Sequence, residues 1–157
     1  MRNERAHLDL FSGIGGFSLG AEWAGFKTCA FVEINEHCQK VLARHWPGVP
    51  IFPDVRKFYR YADEFEPCED CGEPRCELCD ADFAECDCLG VSEYDDKFPQ
   101  PLLITSGTPC QPASAAGHGQ RRGVEDERWL WPDTLRIVGA LGPRWAVMEN
   151  PTSLLTL

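Results

Sequence analysis

The stretch Asp9-Leu-Phe-Ser-Gly-Ile-Gly-Gly16 joins a short apolar run, which begins at His7, to a segment whose apolar residues can line a helix up to Gly25. Glycine lets a chain turn sharply and lets the backbone approach a ligand closely, and this turn lies just before a predicted helix N-terminus. A strand, a glycine turn and a helix in this order suit a nucleotide-like cofactor. The alternative interpretation is a tight strand-to-helix connection without a ligand.

Strand and helix patterns alternate along the chain. Asn35 is a plausible N-cap for a helix that runs to about His45, and a further helix is predicted at residues 129–141. Strands are predicted at residues 7–11, 28–32, 49–52, 102–105 and 145–148. This alternation predicts an α/β fold of the Rossmann-like type, with a mostly parallel sheet and helices on both faces.

Acidic residues follow three of these strands. Glu33 lies about 20 positions beyond the glycine turn, where the ribose diol of a bound nucleotide can meet a carboxylate. Asp54 follows the third strand, where a carboxylate can accept a hydrogen bond from an adenine amino group. Glu149 follows the last strand and would face the same rim of the sheet. Each carboxylate could instead be a solvated or helix-capping charge.

Acidic residues and cysteines are concentrated in one segment. The chain has 157 residues and a net charge of −10, yet residues 63–97 hold fourteen acidic and two basic residues, which leaves +2 for the remainder. This segment has few aliphatic residues. We therefore predict one domain formed by residues 1–62 and 99–157, with residues 63–98 inserted as an acidic, Cys-rich module.

Six of the nine cysteines fall within 21 residues of that insert. Two close C-x2-C pairs fit a tetrahedral zinc site, for which the first choice is Cys68, Cys71, Cys76 and Cys79, with Cys86 and Cys88 as alternates. The alternatives are a secreted disulfide framework and a disordered acidic loop with free thiols. No signal peptide or membrane span is evident, so the sequence predicts a cytoplasmic protein.

A second segment, Gly107-Thr-Pro-Cys110-Gln111, places a cysteine at a strand-to-loop junction, with Pro109 fixing the backbone just before it. Most lone cysteines are inert core residues. A thiol near a cofactor and near the Arg121-Arg122 pair would be more reactive than that.

Taken in order, these segments resemble the motifs of the DNA (cytosine-5) methyltransferase family: residues 9–16, Glu33, Asp54, the Pro-Cys-Gln segment with Ser114, and Glu149-Asn150. The resemblance implies an S-adenosylmethionine-dependent methyltransferase fold and methylation of cytosine C5 in double-stranded DNA. Cys110 would be the nucleophile that forms a covalent adduct at C6, and Glu149 would hydrogen-bond the N3 and N4 edge of the base. The base must be flipped out of the duplex for this chemistry.

The resemblance also implies binding residues. The cofactor would be bound by Phe11, Gly13, Ile14, Gly16, Glu33, Asp54, Val55, Gly107, Pro109 and Leu130. The DNA would be contacted by Gln111, Ser114, Gln120, Arg121 and Arg122, on a loop that also carries His118 and closes over the duplex. For the arginine pair, a solvated loop is the alternative.

Departures from the family are Ala113, where an aromatic residue is usual, Pro151, where an aliphatic residue is usual, and the Cys-rich insert. The family normally continues beyond Glu-Asn through a target recognition region, so the resemblance implies a fold that is incomplete at the C-terminus. The chain would then be a fragment, a decayed gene product, or one subunit of a split enzyme whose partner is a complementary polypeptide that supplies target recognition. A truncated, catalytically silent binding chain is the alternative function. A nicotinamide-dependent Rossmann enzyme does not explain Pro-Cys-Gln or Glu-Asn. The target sequence, and a role in restriction-modification or phage protection, stay open.

Overall fold

The computed structural model describes residues 5–58, 100–109, 126 and 128–152, together with the backbone of residues 66–67 and 74–75. The chain divides into two compact units, one formed by Met1–Val55 with Pro99–Leu157 and the other by Arg56–Phe98. Within the described residues, none of the helices is both long and apolar enough to cross a membrane.

The elements of the first unit, in chain order, are β1 (Ala6–Leu10), α1 (Gly16–Trp23), β2 (Lys27–Val32), α2 (Glu36–His45) and β3 (Ile51–Phe52). The second unit contains the antiparallel pair β4 (Glu66–Pro67) and β5 (Pro74–Arg75). The first unit then resumes with β6 (Leu103–Ser106), α3 (Trp131–Leu141) and β7 (Trp145–Met148).

The five strands of the first unit form one sheet in the order β3-β2-β1-β6-β7, and all four pairings are parallel. Connections between parallel strands are right-handed, and the chain moves outward from β1 in opposite directions on its two sides. This handedness places α1 and α2 on one face and α3 on the other. The prediction of a Rossmann-like α/β fold is therefore confirmed.

The core lies along β1, where every residue is buried. Leu8 and Leu10 are completely buried, as are Phe31 on β2, Ile104 on β6 and Ile137 on α3. Central parallel strands are covered on both faces, so the polar residues His7 and Asp9 of β1 are buried together with its apolar residues. Residues of the strands and of α3 thus form the core of the first unit.

Helix α2 begins where the sequence predicts. The side chain of Asn35 accepts hydrogen bonds from the backbone N–H groups of His37, at 2.9 Å, and Cys38, at 3.2 Å. Glu36 lies in the first turn and Arg44 in the last, which complements the helix dipole. This cap sets the direction in which the chain leaves β2.

Helix α1 differs from its sequence pattern. Its buried residues are Ser18 and Ala21, whereas Leu19 is 43% exposed and Trp23 is 80% exposed. The small residues face the sheet because Ser18 Oγ donates a hydrogen bond to the buried Asp9 carboxylate at 2.7 Å. A polar anchor, rather than the apolar residues, therefore sets the rotation of this helix.

Candidate active site

All five strands are parallel, so the segments that follow them meet at one edge of the sheet. The glycine turn follows β1, Glu33 follows β2, and Asp54 and Val55 follow β3. On the other side, Gly107 and Pro109 follow β6 and Glu149 follows β7, while Leu130 is the N-cap of α3. Ligands of open α/β sheets bind at this edge.

The glycine turn is built from left-handed backbone. Gly13 and Gly15 have φ angles of 53° and 91°, and Phe11 also has a positive φ of 53°. A non-glycine residue in this region costs on the order of 1–3 kcal/mol and persists only where its surroundings hold it. Ser12 helps to stabilise this conformation of the turn, because its Oγ donates to the Asp9 carbonyl at 2.7 Å and its N–H donates to the Val32 carbonyl at 3.1 Å.

Gly15 is required by close packing as well as by its φ angle. A Cβ at this position would lie 2.5 Å from the Trp46 ring. Trp46 follows α2, makes an edge contact with the buried Phe31 at a ring-centroid distance of 5.4 Å, and donates its indole N–H to Glu22 of α1. The Trp46 indole thus packs against the glycine turn at Gly15.

Glu33 joins the glycine turn to the start of α2. Its Oε2 accepts a hydrogen bond from the Gly13 N–H at 2.7 Å, and its Oε1 accepts one from the Asn35 N–H at 2.7 Å. Each carboxylate oxygen has two acceptor positions, so Glu33 can still accept hydrogen bonds from the two hydroxyl groups of a ribose.

The turn leaves open space on its outer side. Nothing lies within 4 Å of a Cβ built on Gly13 or Gly16, and Ile14 is 63% exposed. The backbone beside the Glu33 carboxylate is therefore open at Gly13 and Gly16. Ile34, directly after Glu33, is also 69% exposed.

The end of β6 is bonded to both neighbouring strands. The Gly107 N–H donates to the Leu10 carbonyl at 3.2 Å, and the N–H of Glu149 donates to the Ser106 carbonyl at 3.0 Å. Asn150, for which sequence reasoning gave no role, donates its side-chain N–H to the Thr108 carbonyl at 2.9 Å. The backbone that leads to Cys110 is thus held between β1 and β7, while the side chain of Glu149 is exposed.

Val55 and Leu130 are also anchored at this edge. Val55 is buried, and its carbonyl accepts a hydrogen bond from Arg136 Nη2 of α3 at 3.2 Å. The Leu130 carbonyl accepts the Thr134 hydroxyl at 2.9 Å. Both contacts involve only the backbone carbonyls of Val55 and Leu130. The contacts of their side chains with the cofactor, which the resemblance implies, stay predictions.

Several predicted site residues lie outside the described residues. They are the nucleophile Cys110, the DNA-contacting residues Gln111, Ser114, Gln120, Arg121 and Arg122, and the cysteines Cys68, Cys71, Cys76, Cys79, Cys86 and Cys88. The described part of the chain holds no cluster of metal-binding side chains. The DNA contacts and the zinc site therefore stay predictions.

A buried polar network under the glycine turn was missed by the sequence patterns. His7 Nδ1 lies 3.0 Å from Thr28 Oγ1, and His7 Nε2 lies 2.8 Å from Thr105 Oγ1. Thr105 donates its hydroxyl to Asp9 Oδ1 at 2.6 Å, and Ser18 donates to Asp9 Oδ2 at 2.7 Å. We call these five residues the Asp9 network. The available signal was the polar residues at alternate positions 7 and 9 of an otherwise apolar strand.

Burial shifts the ionisation of this network. It lowers the pKa of His7 to about 4. It raises the pKa of Asp9 to about 6, against the opposing effect of the hydrogen bonds from Thr105 and Ser18, and the nearby Glu33 charge raises it further. Near neutral pH the histidine is therefore uncharged and Asp9 is mostly ionised.

A family model for the C-5 cytosine-specific DNA methylases matches residues 6–69 and 78–157. The chain belongs to this family. The match confirms the resemblance found in the motifs. The family model does not match residues 70–77 of this methylase chain, which lie inside the Cys-rich segment.

Curated relatives are named type II methyltransferases. M.CviJI of Paramecium bursaria Chlorella virus IL3A is 33% identical over 91% of this methylase chain, which covers 29% of that protein. M.HgiCII of Herpetosiphon aurantiacus is 30% identical over 94% of the chain, with 26% of its own length covered. For M.AquIA of a Picosynechococcus strain the identity is 28% and the covered share of the relative is 48%. The chain thus spans between about a quarter and a half of these relatives.

Solved structures show the same fold. A DNA modification methyltransferase encoded within an Escherichia coli prophage has a TM-score of 0.60 and 23% identity, covering 96% of this chain and 33% of its own. DNMT2 of Spodoptera frugiperda has a TM-score of 0.53 and 19% identity, and the match covers 98% of this chain and 37% of DNMT2. At these identities the likeness supports the α/β methyltransferase fold.

Proposed function

We propose that this chain supplies the cofactor-binding and catalytic half of a DNA cytosine-5 methyltransferase. The observation that carries the proposal is the meeting, at one edge of the sheet, of the glycine turn, the Glu33 carboxylate and the anchored end of β6 that precedes Cys110. Family membership adds the reaction class. The named relatives further suggest a role in restriction-modification.

Cofactor binding is assigned to residues on both sides of β1. Glu33 accepts the ribose hydroxyl groups, Asp54 and Val55 lie on the adenine side, and the backbone of Gly107 and Pro109 lines the methionine side. The remaining contacts come from Phe11, Gly13, Ile14, Gly16 and Leu130. When bound, S-adenosylmethionine supplies an electrophilic methyl group.

The chemistry is assigned to Cys110 and Glu149. The Cys110 thiolate adds to C6 of the flipped cytosine, which forms a C6–S bond and moves the electron pair of the C5–C6 double bond to C5. That pair forms the new bond to the methyl carbon as the bond between this carbon and the sulfonium sulfur breaks, which leaves S-adenosylhomocysteine. C5 then loses its proton to a base, and the C6–S bond breaks to return the thiolate and restore the double bond. Glu149 stabilises the activated cytosine ring through hydrogen bonds at the N3 and N4 edge of the base.

DNA binding is assigned to the segment after Cys110. Gln111, Ser114, Gln120, Arg121 and Arg122 would contact the duplex and hold the flipped base in place. Two adjacent guanidinium groups suit phosphate contacts, which dominate affinity for DNA. The +2 charge that remains outside residues 63–97 is compatible with this assignment.

The direct test is covalent trapping on duplexes that contain 5-fluorocytosine in many sequence contexts, with S-adenosylmethionine present. Fluorine at C5 cannot be eliminated as a proton can, so the nucleophile stays attached. The wild type and the matched control Cys38→Ser, which changes a thiol on α2, should form the adduct, and Cys110→Ser should not. An adduct that persists in Cys110→Ser would contradict the proposal.

The complementary polypeptide is the second part of the proposal. On β7, Trp145 is 57% exposed and Val147 is 48% exposed. Their register partners Leu103 and Thr105 place them on the α1 face of the sheet, where the described residues include no helix over β7. A polypeptide that carries target recognition would cover this apolar surface. If trapping fails while the cofactor binds, activity restored by such a partner would support a split active site.

Glu33 gives a test of the cofactor site that does not need DNA. We predict that Glu33→Ala weakens S-adenosylmethionine binding by at least about tenfold, because a hydrogen bond to a charged group is worth about 1.5–3 kcal/mol. Glu36→Ala, which removes an exposed carboxylate three residues away, is the matched control and should bind normally. Isothermal titration calorimetry measures both. Equal losses in the two variants would contradict the assignment of Glu33.

The zinc site is a third part of the proposal. Purified chain should contain one zinc ion, bound by Cys68, Cys71, Cys76 and Cys79, with Cys86 and Cys88 as alternate ligands. Metal analysis should show its loss in Cys68→Ser/Cys71→Ser and its retention in Cys29→Ser/Cys38→Ser. A metal-free wild type, purified without chelators, would contradict the prediction.

A further inference from the structure

Three buried hydroxyl groups meet between the end of β6 and α3. Ser106 Oγ lies 2.8 Å from Thr108 Oγ1, and Thr108 Oγ1 lies 3.4 Å from Thr134 Oγ1. None of the three residues is more than 3% exposed. The Thr134 hydroxyl donates to the Leu130 carbonyl at 2.9 Å, so it accepts from Thr108, and Thr108 accepts from Ser106. We call Ser106, Thr108 and Thr134 the hydroxyl cluster.

Thr108 is the centre of this cluster, and its backbone is held as well. Asn150 Nδ2 donates to the Thr108 carbonyl at 2.9 Å and to the Glu149 carbonyl at 2.8 Å. Carbonyl oxygens only accept hydrogen bonds, so the nitrogen of the Asn150 amide must face them. Gly107 has no side chain and the Pro109 ring cannot donate or accept, so Thr108 supplies the side-chain hydrogen bonds of this segment. These bonds connect the end of β6 to α3 and to the segment that follows β7.

Residues 107–109 border the glycine turn on the side opposite to Glu33. The Gly107 N–H donates to the Leu10 carbonyl at 3.2 Å, and a Cβ on Gly107 would lie 3.5 Å from the Phe11 carbonyl. Glu33 contacts the same turn from the β2 side. Since β2 and β6 lie on either side of β1, a ligand that spans the turn has one end near Glu33 and the other near residues 107–109. With the ribose at Glu33 and the adenine towards β3, the part of the cofactor near residues 107–109 is its methionine part.

We propose that Thr108 is a positioning residue, held by the hydroxyl cluster and by Asn150, that fixes residues 107–109 against the methionine part of S-adenosylmethionine. This inference rests on the proposed function. A buried hydroxyl group is costly unless it is hydrogen-bonded, so three such groups in contact favour one geometry of the backbone that carries them. Without the Thr108 hydroxyl, residues 107–109 would leave this geometry and their contacts with the methionine part would weaken. The adenosine part, bound by Glu33 on the other side of β1, would keep its contacts.

The test compares two ligands that share the adenosine part. S-adenosylhomocysteine carries the amino acid part of the cofactor, whereas methylthioadenosine lacks it and ends in a methyl group. Thr108→Val, which removes the hydroxyl and keeps the size of the side chain, should weaken binding of S-adenosylhomocysteine about fivefold, the effect expected for one hydrogen bond. Binding of methylthioadenosine should stay within about twofold of the wild type, because its contacts do not include residues 107–109. Calorimetry measures the first affinity, and a nuclear magnetic resonance titration measures the weaker second one.

Further variants separate positioning from a merely structural role. Thr108→Ser, which keeps the hydroxyl, should bind S-adenosylhomocysteine like the wild type, and Asn150→Ala, which releases the Thr108 carbonyl, should show the selective loss. Thr28→Val is the matched control, because it removes another buried threonine hydroxyl, which contacts His7 from β2, and it should change neither affinity. Circular dichroism checks that each variant is folded. A Thr108→Val protein that binds both ligands normally, or loses affinity for both equally, would overturn the proposal.

A measurement on the wild type covers the case in which the variants do not fold. The amide resonances of Gly107 and Thr108 should shift when S-adenosylhomocysteine binds and shift much less with methylthioadenosine. The amide resonance of Gly13, which donates to Glu33, should shift with both ligands. Equal shifts of Gly107 and Thr108 with the two ligands would overturn the proposal while the cofactor site stands. A wild type that binds neither S-adenosylhomocysteine nor S-adenosylmethionine would instead refute the proposed function.

Discussion

His7 and Asp9 lie two residues apart on β1, and burial shifts their ionisation in opposite directions. The pKa of His7 falls from 6.5 to about 4, so the folded chain binds fewer protons than the unfolded chain between these values. The pKa of Asp9 rises from 3.8 to about 6, so here the folded chain binds more. With rising pH, His7 therefore adds stability and Asp9 removes it, and the two effects largely cancel between about pH 4 and about pH 6.

Single substitutions should expose the two opposing effects. Each effect amounts to about 3 kcal/mol, since a pKa difference of one corresponds to about 1.4 kcal/mol. Relative to the wild type, the free energy of unfolding of Asp9→Asn should increase with pH through this window, and that of His7→Asn should decrease. Urea unfolding at several pH values measures both slopes. Parallel curves for the three proteins would contradict the prediction.

At the level of single residues, local contacts could be predicted and distant contacts could not. The Asn35 cap depends on N–H groups two and three residues away, and the sequence predicted it correctly. The partner of Asp9 on β6 is 96 residues away, and no pattern near position 9 identifies it. Phe11 was predicted as a contact residue, but its left-handed φ was not, because phenylalanine rarely adopts that conformation.

In the link between β1 and α1, position 15 strongly favours glycine. Gly15→Ala would force a side chain into the left-handed region and bring its Cβ to 2.5 Å from the Trp46 ring. We predict a loss of at least about 2 kcal/mol of unfolding free energy. Gly20→Ala, within α1, is the matched control: nothing lies within 4 Å of its Cβ, and it should gain about 0.5–1 kcal/mol. Thermal unfolding distinguishes the two, and equal effects would contradict the packing argument.

Element boundaries followed the sequence where local signals were strong. Strand β7 and helix α2 have the predicted bounds. Strand β3 is two residues shorter than predicted, because only Ile51 and Phe52 pair with β2. Helix α3 begins at Trp131 rather than at position 129, since the N–H of Trp129 donates to the Asp126 carbonyl in a turn before the helix. Pairing and turns of this kind depend on tertiary contacts.

For the whole molecule, the sheet is asymmetric. Its β3 side carries α1 and α2, which the right-handed connections place over β1, β2 and β3. Its β7 side has one described neighbour, β6, and every residue of β7 except Met148 is exposed. An exposed strand edge with large apolar side chains favours association. Sequence patterns predicted the strand but not the exposure of its two faces, because exposure depends on what the rest of the sheet packs against.

We therefore predict that the chain, purified alone, self-associates through β7 as its concentration rises. Val147→Lys should reduce this association, because a charge on the apolar face of an edge strand opposes the pairing of two copies. Leu135→Lys is the matched control, since Leu135 is 58% exposed but lies on α3, on the other face of the sheet. Sedimentation velocity over a range of concentrations measures the effect. A wild type that stays monomeric at high concentration would contradict the prediction, and equal effects of the two substitutions would show that association does not depend on β7.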